Sequence, residues 1–206
     1  MTLAVGVLAS GRGSNLQAIL DACARPGFPA RVALVLSDRE RAVALERGRA
    51  AGVEARWVNP KDFGDREAFD LALVRELQAR GIGLVCTAGF MRILSPAFVR
   101  AFAGRVLNIH PSLLPAFPGL HAQRQALEHG VKVAGATVHF MDEGVDTGPI
   151  VLQAAVPVEP DDTEETLSAR ILVQEHRIYP EAIRLFAEGR LRTVGRKVIV
   201  NAEARR

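Results

Sequence analysis

Apart from Gly6, residues 3–8 are all apolar, the pattern of a strand buried on both faces. Leu16, Ile19 and Leu20 then recur at helical spacing, which predicts a helix over residues 14–23. The alternation continues with a strand over 31–37, a helix over 41–51 closed by Gly52, and a short strand over 54–58. An amphipathic helix over 66–80 ends at Gly81, and a strand follows over 83–87. Ser95-Pro96 places an N-cap residue before a proline at the first helical position, so a short helix starts there.

The second half is less regular. A strand over 105–109 runs into His110-Pro111, and residues 111–119 hold three prolines and one glycine, the composition of a rigid loop. A helix is predicted over 121–128, and strands over 133–140 and 150–156 flank a turn rich in Asp, Glu and Gly. Asp162 and Glu165 have the spacing of a capping box. They would open a long helix reaching about residue 188, with Pro180 as a candidate kink, before a hairpin over 190–200 that turns at Gly195. Strands alternating with helices imply an α/β fold, a Rossmann-like, mostly parallel twisted sheet with helices on both faces. In such sheets ligands bind beyond the carboxyl ends of the strands.

Composition narrows the function classes. The 206 residues are 49% hydrophobic and 24% charged, enough for a full core with a solvated surface. The net charge is +3, with scattered arginines and a short basic end at Arg205 and Arg206. No basic stripe or aromatic platform points to nucleic acid, whereas small anions are favoured. Cys23 and Cys86 stand alone in apolar surroundings, without metal-ligand or disulfide spacing. They are expected to be buried thiols in a reducing, cytoplasmic compartment. No apolar run is long enough to span a membrane, and the apolar start is a strand rather than a leader.

Two segments carry candidate chemistry. Ser10-Gly11-Arg12-Gly13-Ser14-Asn15 follows the first strand and opens a helix. Leu16 stands where a dinucleotide fingerprint needs glycine, and no P-loop lysine is present. What remains is a cradle for one phosphate at Gly13, Ser14 and Asn15, or a bare turn capped by Ser14. Asn108 and His110 lie two apart at a strand end, hence on one face, and Pro111 biases His110 to extended geometry. The same spacing fits a strand-end histidine bonded to a carbonyl. Asp146 sits between two strands, and nothing in the spacing brings it to His110.

Four ordered stretches resemble the folate-dependent formyltransferase family, in its branch acting on phosphoribosylglycinamide. They are Gly11-Arg12-Gly13-Ser14-Asn15-Leu16-Gln17, Ala88-Gly89-Phe90-Met91-Arg92-Ile93-Leu94-Ser95, Leu107-Asn108-Ile109-His110-Pro111-Ser112-Leu113-Leu114-Pro115 through Pro118-Gly119, and Gly135-Ala136-Thr137-Val138-His139-Phe140 followed by Asp146-Thr147-Gly148-Pro149. The resemblance implies formyl transfer from 10-formyltetrahydrofolate, as co-substrate, to the amine of phosphoribosylglycinamide in purine biosynthesis, with no metal. It implies Asn108, His110 and Asp146 as catalytic residues. Gly13, Ser14, Asn15 and Glu175 would bind phosphoribosylglycinamide. Arg66, Met91, Arg92, Ile93 and Leu94, with the loop Phe140, Met141, Asp142, Glu143, Gly144 and Val145, would bind folate. On spacing alone, Glu175 reads as a solvated helix carboxylate, Arg66 as surface charge and Asp38 as a loop residue. His121, His129, His139 and His176 receive no catalytic role.

The implied organisation is one formyltransferase domain over 1–206, with a phosphate-binding lobe at 1–102 and a catalytic, folate-binding lobe at 103–206. It would act on small molecules as a monomer or homodimer, without nucleic-acid or membrane partners. Thr147 stands where relatives can carry glycine, which would stiffen the acidic loop, and Ala116 where they can carry a basic residue. Two superfamily alternatives are a formyltetrahydrofolate hydrolase, expected to carry an extra N-terminal domain, and a methionyl-tRNA formyltransferase, expected to carry an extra C-terminal one. A non-catalytic nucleotide-binding module would use the βαβ start but has no need of Asn108, His110 and Asp146.

Overall fold

The apolar run at the start forms strand β1, Leu3–Leu8, fully buried over its last four residues. The computed structural model describes residues 2–202, so Arg205 and Arg206 lie outside the described residues. The chain divides into two compact units, Met1–Asn108 and Ile109–Arg206.

In the first unit β1 is followed by α1 (Ser14–Cys23), β2 (Ala30–Ser37), α2 (Val43–Ala50), β3 (Glu54–Trp57), α3 (Arg66–Ala79), β4 (Leu84–Thr87), α4 (Pro96–Ala101) and the start of β5 (Val106–His110). Helix α2 begins two residues later than the periodicity predicts because residues 39–42 close a turn, Ala42 N–H donating to Arg39 O. Asp65 caps α3 through a bond from Ala68 N–H, and Ser95 with Pro96 starts α4 as expected. The strands are parallel in the order β3-β2-β1-β4-β5. Crossovers of one hand leave β1 in one direction and arrive at β4 from the other. Accordingly α1 packs on α2 and α3 packs on α4. The order reverses between β1 and β4, so their carboxyl ends form the crevice where doubly wound sheets take ligands.

The second unit holds the end of β5, then α5 (Ala122–Glu128), β6 (Val133–Phe140), β7 (Ile150–Pro157), α6 (Glu164–Ala187), β8 (Leu191–Val194) and β9 (Lys197–Val200). β6 pairs antiparallel with β7, with a register shift between Val138 and His139. The predicted hairpin is β8–β9, turning at Gly195, and Lys197 of β9 pairs with Ile150 of β7.

Helix α6 packs on β6 and β7 through a stripe that includes Leu167, Ile171, Ile178 and Ala182. Its capping box is Thr163 with Thr166, one residue on from the expected Asp162 and Glu165. Asp162 is instead held bidentately by Arg170 at 2.6 and 2.8 Å, which leaves Thr163 at the cap. Cys86 is buried but Cys23 only half so, and burial pushes the Cys23 thiol up to about 11. Among the described residues no helix is long and apolar enough to cross a membrane.

Candidate active site

In the first unit the loop after β1 is built by close packing. Gly13 is the N-cap of α1 with φ 68°, and no side chain caps that end. Ser14 is thus the first helical residue, not the cap. A methyl group on Gly13 would lie 2.8 Å from Cα and Cβ of Ala44 on α2. That approach is fixed by Ala44 N–H donating to Gly11 O at 3.1 Å and by Arg47 Nε donating to Arg12 O at 2.8 Å. The left-handed glycine turns the chain so that the first-turn N–H groups face outward from the helix end, the arrangement that holds an anion. Gly13→Ala is expected to cost about 1–2 kcal/mol from backbone strain alone. Thermal unfolding should fall by about 2–8 °C; an unchanged midpoint would show that the loop is not so constrained.

The segment after β4 carries the predicted folate residues of this unit. Met91 and Ile93 are 66% and 61% exposed, while Leu94 is buried. Two apolar side chains left in the open beside a buried one form a surface suited to a flat ring. Arg92 lies over the Phe69 ring at 5.0 Å. The buried Asp70 accepts the Ser95 N–H at 2.5 Å and anchors the far end of the segment. Burial raises the Asp70 pKa, against the bonds from Ser95 and the charges of Arg66 and Arg92. Arg66 is exposed at the first turn of α3. Asn108, on β5, has its amide oriented by a neighbour that sequence reasoning missed. Thr87 Oγ1 donates to Asn108 Oδ1 at 2.6 Å. The carbonyl end is thereby occupied as acceptor, and the NH2 is the donor end of the side chain.

The second unit brings His110 and Asp146 together. His110 ends β5 and is 5% exposed. Its Nε2 lies 2.8 Å from Phe117 O, and its Nδ1 lies 3.4 Å from Asp146 Oδ2. Asp146 adopts φ 54°, and Oδ2 also accepts the Gly119 N–H at 2.8 Å. On its other side stands His139, which sequence reasoning set aside: Nε2 is 3.6 Å from Asp146 Oδ1 and Nδ1 is 2.9 Å from Phe140 O. No local pattern points to it, because β6 shifts register between Val138 and His139. Thr137, on the same strand, accepts Leu114 N–H at 3.1 Å and donates to Ser112 O at 2.7 Å. The proline-rich loop that follows His110 is therefore braced.

Both nitrogens of His110 face acceptors, so only the protonated ring satisfies both. Burial opposes that charge and lowers the His110 pKa; the Phe117 carbonyl and Asp146 pull it back up, and His139 lowers it further. Burial works to raise the Asp146 carboxyl, but His139, the Gly119 N–H and His110 outweigh it and hold the carboxyl below its ordinary value. The result is a carboxylate beside an imidazole whose pKa burial holds below its ordinary value.

The remaining predicted residues also lie in this unit. Glu175 is 7% exposed on α6, not solvated. It falls in phase with the buried Ile171 and Ile178, a periodicity that outweighs its charge as a guide to burial. Phe140 is buried against Phe186 at 6.2 Å between ring centroids, Met141 is half-buried, and Glu143, Gly144 and Val145 are exposed. Asp142 Oδ1 accepts Thr147 Oγ1–H at 2.6 Å and Gly144 N–H at 3.1 Å, so Thr147 does tie the loop. Arg196 of the β8–β9 turn donates to Thr147 O at 2.9 Å. A cavity of about 320 Å³ opens beside Asp146, lined among others by Leu114, Pro118, Ile150 and Arg196. Among the described residues no group of three or more His, Cys, Asp or Glu is placed to hold a metal ion.

Against known proteins, the sequence pattern of the Formyl transferase family matches residues 3–183. The chain belongs to the formyl transferase family. It is 51% identical over 186 residues to phosphoribosylglycinamide formyltransferase of Escherichia coli (strain K12), covering 90% of this chain and 88% of that protein. It is 52% identical over 192 residues to the trifunctional purine biosynthetic protein adenosine-3 of Drosophila pseudoobscura pseudoobscura, covering 92% of this chain but 14% of that protein. The chain thus spans a small part of the trifunctional relatives and most of the bacterial one. Among solved structures, glycinamide ribonucleotide transformylase 1 from Symbiobacterium toebii aligns with TM-score 0.96 and 62% identity, covering 97% of this chain and 94% of that one. Phosphoribosylglycinamide formyltransferase from Brucella melitensis aligns with TM-score 0.88 and 46% identity, covering 94% and 100%. Family membership extends over both compact units, and the α/β fold expected from the alternation of elements is that of these formyl transferases.

Proposed function

We propose that this formyl transferase moves the formyl group of 10-formyltetrahydrofolate to the primary amine of phosphoribosylglycinamide, giving formylglycinamide ribonucleotide and tetrahydrofolate. The observation that carries the reading is the buried His110 with Asp146 Oδ2 at Nδ1 and the Phe117 carbonyl at Nε2. The amine lone pair attacks the formyl carbon, and the carbonyl π pair moves onto oxygen. The Asn108 NH2 donates to that oxyanion, a stabilisation made mainly in the transition state. His110 takes the proton leaving the amine and returns one to the departing folate nitrogen as the C–N bond breaks. Asp146 stabilises the transient imidazolium and holds the ring's direction.

In this proposal Gly13, Ser14 and Asn15 hold the substrate phosphate, and Glu175 contacts the ribose and glycinamide part. Met91–Leu94, the loop 140–145 and Arg66 take the folate. The two units work as one formyltransferase domain over 1–206, a cytoplasmic monomer or homodimer that acts on small molecules without nucleic-acid, membrane or metal partners.

The test is turnover by purified protein given 10-formyltetrahydrofolate, with and without phosphoribosylglycinamide. Tetrahydrofolate is expected only when the amine is present. Folate release with the amine omitted would make the protein a hydrolase. Binding of both compounds without turnover would make it a non-catalytic module.

A further inference from the structure

Ser10 stands where β1 gives way to the phosphate loop, and three hydrogen bonds meet on it. Its N–H donates to Gly89 O at 3.0 Å. Its hydroxyl donates to Asp38 Oδ1 at 2.6 Å and accepts the Met91 N–H at 2.9 Å. Asp38, just past β2, is 5% exposed, and its other oxygen lies 3.6 Å from the exposed Arg39. An ionised carboxylate only accepts. It therefore fixes the hydroxyl proton toward itself and leaves the Ser10 lone pairs for Met91. The ends of three neighbouring strands, β2, β1 and β4, are joined through this one side chain at the switch point of the sheet.

We propose that Ser10 and Asp38 are a positioning pair that locks the Met91–Leu94 segment to the phosphate loop, so that one hydroxyl sets the affinity for both substrates. The proposal rests on the functional reading above, in which Gly13–Asn15 take the phosphate and Met91–Leu94 the folate. Neither residue touches the reacting atoms. Removing the hydroxyl takes the acceptor from the Met91 N–H and the donor from the Asp38 carboxylate, and both binding segments lose the same anchor.

The experiment is calorimetric binding of tetrahydrofolate and of phosphoribosylglycinamide, each alone, to the parent protein and to Ser10→Ala, Asp38→Ala and Ser10→Thr, followed by steady-state kinetics. Ser10→Ala and Asp38→Ala are each expected to weaken both ligands by about tenfold, the equivalent of one unmade hydrogen bond. KM should rise for both substrates while kcat stays within about threefold. Ser10→Thr, which keeps the hydroxyl, should remain near the parent. A purely structural role would lower the folded fraction and kcat together and leave both dissociation constants of the folded protein unchanged. The proposal is overturned if Ser10→Ala alters neither affinity or only one, or if Ser10→Thr is as impaired as Ser10→Ala. Because binding is read without turnover, a parent that binds both compounds but transfers nothing would defeat the functional reading while still testing the pair.

Discussion

His110→Ala is expected to lower kcat by about 10²–10⁴-fold, the range for losing a positioned acid–base group. In the proposed reading both substrates are held by residues other than His110, so KM for both should stay within a small factor. The pH profile makes the assignment specific. Burial sets the His110 pKa below its usual value of 6.5, so the resting ring is neutral at and above neutral pH. In the proposed step it is the neutral ring that accepts the amine's proton. As pH falls through the depressed pKa the ring is already charged, and kcat/KM should drop on an acid limb lying below the ordinary histidine value. The alanine variant should lose that limb along with its rate. Turnover near that of the parent, or an unchanged acid limb, would remove His110 from the reaction.

Asn108→Ala is expected to lower kcat by about 10²–10³-fold, the scale of deleting one oxyanion donor. The ground-state formyl carbonyl asks little of that donor, so kcat and kcat/KM should fall together with KM nearly constant. Asn108→Asp keeps the shape but replaces the NH2 with an acceptor and adds a negative charge beside the developing oxyanion. It should be no better than alanine. If the loss appears as a raised KM with kcat intact, Asn108 is a ground-state binder instead. Because Thr87 holds the opposite end of the amide, the donor direction does not depend on substrate to set it.

What was legible along the chain depended on whether its cause was local. The bounds of β1 and α1 follow from an unbroken apolar run and a helical period, and both agree with the fold. The capping box slipped by one residue because Asp162-Glu165 and Thr163-Thr166 both have the right spacing. Arg170, eight residues along the helix, decides between them by taking Asp162. Glu175 was misjudged when its charge was weighed above its phase on α6. Thr87, His139 and Asp38 could not be found locally at all. Thr87 meets Asn108 through the register of two parallel strands. His139 meets Asp146 across the turn that closes a hairpin, and Asp38 meets Ser10 across 28 residues of chain. Such meetings are properties of the sheet and are invisible in sequence spacing.

The bond from Arg196 to the Thr147 carbonyl has a consequence for grafting and chimaera work. The family pattern matches through residue 183, while Arg196 lies in the β8–β9 turn beyond it and grips the residue next to Asp146. A segment cut at the edge of the shared pattern and transplanted into another scaffold would carry the acid without its outer tether. Modules exchanged between relatives should therefore travel with their own terminal hairpin, and the break is better placed after Asn201 than after α6.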